Sequence, residues 1–112
     1  MTGTPASSGT PAATRRAYER DGAYLAAWKA AAYGAPLAWP ESEAVALRYI
    51  LDHSEDFSET PADHEGRRTA ETLIAAGYRK SLACPAPASL DRRIATWRTF
   101  HRLRGLKNPF DA

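Results

Sequence analysis

The sequence predicts an all-α fold, a compact bundle of four to five helices, on three observations. Apolar side chains recur every three or four residues in four separate segments. No stretch alternates apolar and polar residues as a half-buried strand would. Gly34, Gly77 and Gly105 each stand just past the end of such a segment, where helices stop. Nothing repeats at a fixed period. At 112 residues the chain is long enough for one hydrophobic core and too short for two lobes.

Taken in order, residues 1–13 (MTGTPASSGTPAA) offer almost nothing to bury against their ordering entropy, so they are expected to form a disordered tail. Thr14 reads as the N-cap of a first helix that runs to Tyr33. Ala17, Tyr24, Leu25, Trp28 and Ala32 fall on one side of it, and Arg16 and Arg20, four apart, fall on another. Pro36, Leu37 and Trp39 make a rigid connection to Pro40, which suits the first position of a second helix reaching about His53. Ala46, Leu47, Tyr49, Ile50 and Leu51 supply its apolar side, and Glu41 and Glu43 sit where the helix dipole favours acids. The polar stretch 54–66 reads as a loop around Phe57. A shorter third helix is expected from Glu65 to Ala76, with Leu73 and Ile74 as its apolar contacts. The prolines of residues 83–88 (ACPAPA) predict a stiff, non-helical hinge, after which Ser89 caps a last helix ending at Gly105.

The net charge is only +2, but it is unevenly spread: +2 over residues 14–33, −7 over 41–66, +3 over 67–82 and +4 over 88–112. Basic ends and an acidic middle suit a polyanion held on one side of the molecule. Five arginines fall in the last helix, between Ser89 and Gly105. At about 100° per residue, Leu90, Ile94, Trp97 and His101 share one stripe that faces the core, and Phe100 lies on its flank. The opposite face then carries Arg92, Thr96, Thr99 and Leu103, flanked by Ala95 and Arg102. Short side chains let a backbone approach a surface while arginines reach to phosphates or guanine edges, so this face predicts a nucleic-acid contact. His101, on the apolar stripe, is expected to be a core histidine with both ring nitrogens hydrogen-bonded. The prediction requires that Arg16 and Arg92 share a side and that neither is drawn into an internal ion pair.

A single cysteine, Cys84, excludes an internal disulfide. No apolar run of membrane-spanning length and no secretion signal is visible, so a cytoplasmic, non-membrane setting is expected. No cofactor and no metal site are expected either.

The residues also resemble a known family, the core-binding, SAM-like N-terminal domain of tyrosine recombinases, or phage integrases. The first helix, with Thr14, Tyr18, Asp21, Tyr24 and Trp28, is similar to the family's opening pattern of Thr, Tyr, Asp, an aromatic and Trp. The segment from Ser89 through Leu90, Ile94, Trp97, His101 and Gly105 to Asn108-Pro109 resembles its closing pattern, and LAWPESEAVALRYI its Pro-led second helix. The similarity spans residues 14–109. It implies one half of a C-shaped clamp on double-stranded DNA, serving DNA integration and site-specific recombination in a bacterial or phage setting. Residues 110–112 would begin a linker to a separate catalytic domain, and the whole protein would form a tetramer on DNA while this piece alone is a monomer. Carried over by position, Thr14, Arg16 and Arg20 match contacts from the first helix, and Ser89, Arg92 and Thr96 match contacts from the last. Arg15, Arg93, Thr99 and Lys107 are added from helical geometry. Phosphate binding is the expected role for most of these, and Arg92 is the candidate for reading a base. The chain departs from the family in its longer 54–87 segment and in Ala88, where a member carries lysine.

His101 to Arg104 spells the His-x-x-Arg of the family's catalytic centre, but that motif belongs to the later domain, so no catalytic residue is assigned here and the chain alone is not expected to cleave DNA. Three other readings compete. One is an all-α protein-interaction module. Another is a helix-turn-helix-like transcription regulator, disfavoured because CPAPA rather than a tight turn precedes the last helix. The third is a metal enzyme on His53, Asp56, Asp63 and His64, whose spacing falls in a loop.

Overall fold

The computed structural model describes residues 11–111, which form four helices and, among the described residues, no strand: α1 (Ala12–Tyr33), α2 (Glu43–Asp52), α3 (Glu65–Ala75) and α4 (Pro87–Leu103). The tail expected over residues 1–13 lies outside the described residues as far as position 10. Of its remainder, Ala12 and Ala13 are already helical.

The helix starts depart most from expectation. α1 begins two residues before Thr14, with Pro11 in the cap position and the Arg15 N–H bonded to the Pro11 carbonyl at 3.1 Å. Alanine has the highest helix propensity, so Ala12 and Ala13 extend the helix without a side-chain cap. α2 begins at Glu43 rather than Pro40, because Ser42 supplies the capping oxygen and accepts the Val45 N–H at 3.2 Å. α3 is capped by an imidazole: His64 Nδ1 accepts the N–H groups of Gly66 and Arg67 at 3.0 and 3.4 Å. α4 starts at Pro87, inside the expected hinge, with Ala86 and not Ser89 at the cap. Proline suits a first helical position because the N–H it lacks would have had no partner there.

The helix ends follow expectation more closely. α1 stops at Gly34. α3 ends in a tight reversal where Gly77, at φ 83°, lets the Tyr78 N–H return to the Leu73 carbonyl at 2.8 Å.

α1 is the central element, packed on α3 and α4. Tyr24, Leu25 and Trp28 of α1 meet Val45 and Tyr49 of α2, Leu73 of α3 and Trp97 of α4 in one core. The Trp28 ring packs edge-on to Tyr49 and Trp97, at centroid separations of 5.0 and 6.2 Å. Its indole N–H donates to buried Asp52 at 3.0 Å, so this core side chain also has its polar atom satisfied.

The long segment between α2 and α3 is held by Phe57, which is buried. Its N–H donates to the Leu82 carbonyl at 2.9 Å, and the Arg79 guanidinium donates to the carbonyls of Asp52, Ser81, Leu82 and Ala83. Gly66 lies against this anchor, and a Cβ there would stand 2.6 Å from two carbons of the Phe57 ring. The ring is enclosed and cannot swing away, so Gly66→Ala is expected to lower stability by about 1 to 2 kcal/mol, read as a fall in the urea midpoint at unchanged slope.

At the far end Phe110 packs on Trp97 at 5.5 Å, and Pro109 is buried. Residue 110 therefore belongs to the packed body, where a linker was expected to begin. No helix among the described residues is long and apolar enough to cross a membrane.

Candidate nucleic-acid interface

α4 runs across α1, and one buried acid joins them. Asp21, 3% exposed, accepts Arg92 Nε and Nη2 at 3.2 and 2.9 Å and the Thr96 hydroxyl at 3.0 Å. One turn away, Gly22 lets the Phe100 ring close on α1, and Tyr18 meets that ring edge-on at 6.1 Å. Residues 92, 96 and 100 thus face α1, which turns the outward side of α4 toward Asp91, Ala95, Arg98 and Arg102, all exposed.

This geometry corrects part of the expected site. Thr96 does not point outward; it is buried and its hydroxyl is spent on Asp21. Arg92 is drawn into the internal ion pair that the sequence reading required it to avoid, and the hydrogen bond to Asp21 pushes its pKa up against a smaller opposing effect of burial. With Nε and Nη2 committed to a carboxylate, its fork cannot also read guanine in two-pronged fashion, so the base-reading role falls. The side chain remains 53% exposed, and its free edge can still face an anion. Arg93 lies flat on Tyr24, its guanidinium carbon 3.8 Å from the ring centroid. Thr99 donates to the Ala95 carbonyl of its own helix at 3.0 Å. Thr14 and Ser89 are half-buried helical residues and not caps.

The remaining cations fare differently. Arg15, Arg16 and Arg20 of α1 and Lys107 beyond α4 are exposed, and none takes part in an ion pair among the described residues. Arg102, also exposed and unpaired, joins them, while Arg98 approaches exposed Asp111 at 3.7 Å and Arg104 covers the Trp39 ring at 3.8 Å. Arg16, Arg20 and Tyr24 follow one another at four-residue intervals, which places them on one ridge of α1 leading to Arg93. Arg15 and Arg16 also border an open groove of about 600 Å³ floored by Tyr18, Gly22 and Phe100. Other cations are consumed within the fold: Lys29 of α1 pairs with Glu41 at 2.7 Å, Arg48 with Asp52 at 3.1 Å, and Arg67 with Glu71 at 3.3 Å, whereas Arg68 of α3 is exposed and makes no ion pair among the described residues.

His101 has the core role expected of it. Fully enclosed, it donates from Nδ1 to the Trp97 carbonyl at 2.9 Å and accepts the Glu41 N–H at Nε2 at 3.0 Å. Both nitrogens are thereby taken. Among the described residues no cluster of three or more His, Cys, Asp or Glu side chains could hold a metal ion. Compared with models of protein families, with curated proteins and with solved structures, the chain matches none.

Proposed function

We propose that this chain binds double-stranded DNA and, following the sequence resemblance, serves as the core-binding half of the DNA clamp of a tyrosine site-specific recombinase, in DNA integration or a related recombination. One observation carries the DNA reading: Arg15, Arg16 and Arg20 of α1, Arg102 on the outer side of α4 and Lys107 are exposed and without carboxylate partners among the described residues, while Lys29, Arg48 and Arg67 are paired within the fold. Unpaired, exposed guanidinium groups on helices are suited to phosphate oxygens and release counterions when they bind them. The contacts fall to Arg15, Arg16, Arg20, Arg102 and Lys107, with Arg92 and Arg93 contributing charge from partly occupied positions. The reading gives the chain a binding role and leaves strand cleavage to a separate catalytic domain.

Binding of a labelled mixed-sequence duplex across a salt series tests this. Affinity is expected to fall steeply with salt, and the Arg15/Arg16/Arg20→Ala triple variant is expected to flatten the log–log slope by about 0.9 for each phosphate it no longer neutralises. A shallow dependence that the triple variant leaves unchanged would refute DNA as the partner. A second reading has an observation of its own: Leu47 and Leu51, one turn apart on α2, are 57% and 55% exposed and offer an apolar strip to a partner protein. That reading takes over if no duplex is bound and Leu47→Glu abolishes capture of a protein partner. A helix-turn-helix is less well supported, since residues 76–86 separate α3 from α4.

A further inference from the structure

Beside the start of α4 lies a second pocket, of about 330 Å³, of whose lining the DNA reading uses only Arg93. Lys80, Arg79 and Arg93 line it together with the side chains of Tyr24, Tyr78 and Ser89, and no Asp or Glu is among its lining residues. Three positive charges and several hydroxyls with no acid is the composition of an anion site.

The three cations hold different posts. Arg79 is 8% exposed and built into the loop by its carbonyl contacts, so it contributes a fixed charge. Arg93 is held by the Tyr24 ring, and its Nε is buried with no hydrogen-bond partner in the protein. Lys80 is exposed and makes no ion pair among the described residues, which leaves it free to close over a ligand. The positive field is felt by the neighbouring groups: the charges of Arg93 and Arg79 work against the upward push that burial gives the Tyr24 hydroxyl, and they add to the downward push on His53. No side chain caps the first turn of α4, so its dipole adds to the field from the same direction.

We propose that Lys80, Arg93 and Ser89, at the mouth of this pocket, form a site for one phosphate group, and that its natural occupant is a DNA backbone phosphate beyond those held by α1. The assignment of DNA rests on the function proposed above; the anion site itself does not. Arg16, Arg20, the Tyr24–Arg93 stack and Lys80 then follow one another along one flank of the molecule, so a strand tracking the α1 ridge would reach the pocket next. The loop of residues 78–86 thereby gains a role that the sequence reading did not give it.

The full chain, labelled for amide NMR, is titrated with inorganic phosphate against chloride at constant ionic strength. Shifts are expected to saturate and to concentrate at Lys80, Ala88 and Ser89. They should disappear in Lys80→Ala and return in Lys80→Arg. Lys80 is exposed, so its replacement leaves the core intact. With duplex as the probe, Lys80→Ala is expected to weaken binding several-fold across all sequences and to reduce the salt slope by about 0.9. Small shifts spread evenly over the arginines, or localised shifts that Lys80→Ala leaves unaltered, would overturn the site. Localised phosphate shifts without any duplex binding would sustain the anion site and refute DNA as its occupant. Duplex binding that Lys80→Ala leaves unchanged in strength and slope would sustain the DNA reading and refute the pocket's part in it.

Discussion

Lowering the pH from 6.5 toward 4 is expected to remove about 3 kcal/mol of folding stability through His53 alone. This histidine is 2% exposed. Its Nδ1 lies 2.7 Å from the Tyr49 carbonyl, which can only accept, so Nδ1 carries the proton and Nε2 accepts the Tyr24 hydroxyl at 2.6 Å. The ring is therefore neutral and fully bonded, and a second proton would turn Nε2 into a donor and leave the Tyr24 hydroxyl proton without its acceptor. Burial pushes its pKa down to about 4; the hydrogen bond to Tyr49 resists, while the charges of Arg79 and Arg93 push the same way as burial. In the unfolded chain the same residue binds a proton near pH 6.5. Between these values the unfolded state holds the extra proton, so stability is fully present above pH 6.5 and is lost as pH falls toward 4. Urea unfolding at pH 7.0, 6.0 and 5.0 measures it, since most carboxylates keep their charge over that range. His53→Gln should be less stable at neutral pH but should lose about 2 kcal/mol less than the parent between pH 6.5 and 5, because His64 and His101 remain in both. Equal losses in the two proteins would show that His53 titrates like a solvated histidine.

What the sequence made legible was mostly local. Helix spacing and the stop signals at Gly34, Gly77 and Gly105 placed four helices, and the apolar stripe of α4 placed Trp97 and His101 in the core. The polar stretch around Phe57 was legible as a loop, but the burial of its one large apolar residue was not drawn from it. The helix starts were less legible because two competing signals stood a few residues apart. Proline at positions 11 and 87 could open a helix as readily as end a hinge, and a polar cap at Thr14 or Ser89 loses when alanines precede it.

The outward face of α4 could not be read from α4 alone. Which of its two flanks lies against α1 depends on how the helices cross, and that is decided by contacts between residues some 70 positions apart, such as Asp21 and Arg92. A signal was nonetheless present in α1. Asp21 stands three, four and seven residues before Tyr24, Leu25 and Trp28, on the apolar side, and an acid there needs a donor from another element. Following that requirement would have turned Arg92 and Thr96 inward and left Arg98 and Arg102 facing solvent. Arg16 and Arg20 of α1, read as lying away from its apolar side, are exposed because no such demand acts on them, whereas Lys29, near its end, is buried against Glu41.

Asp21 is accordingly a position outside the aromatic core where a single substitution should be costly. Asp21→Ala removes the acceptor shared by the Arg92 fork and the Thr96 hydroxyl. The hydroxyl is buried and would be left without a partner, a loss of about 1 to 3 kcal/mol. Arg92 is half-exposed and can turn to water, so its share is discounted to that of a surface pair, about 0 to 1 kcal/mol. The sum, about 1 to 4 kcal/mol, corresponds to a fall in melting temperature of roughly 4 to 17 °C for a chain of this size. Adding Thr96→Val removes the orphaned hydroxyl, so the double variant should be more stable than Asp21→Ala alone. That coupling distinguishes a missing hydrogen-bond partner from a general loss of packing. Binding should move the other way. Below its melting temperature, Asp21→Ala loses a negative charge and releases the Arg92 guanidinium, so duplex affinity should rise and its salt dependence should steepen by up to about 0.9. A variant that melts like the parent would show that the Asp21 junction does not hold α1 to α4. One that melts low but binds duplex more weakly would show that Asp21 positions Arg92 for DNA rather than merely restraining the side chain.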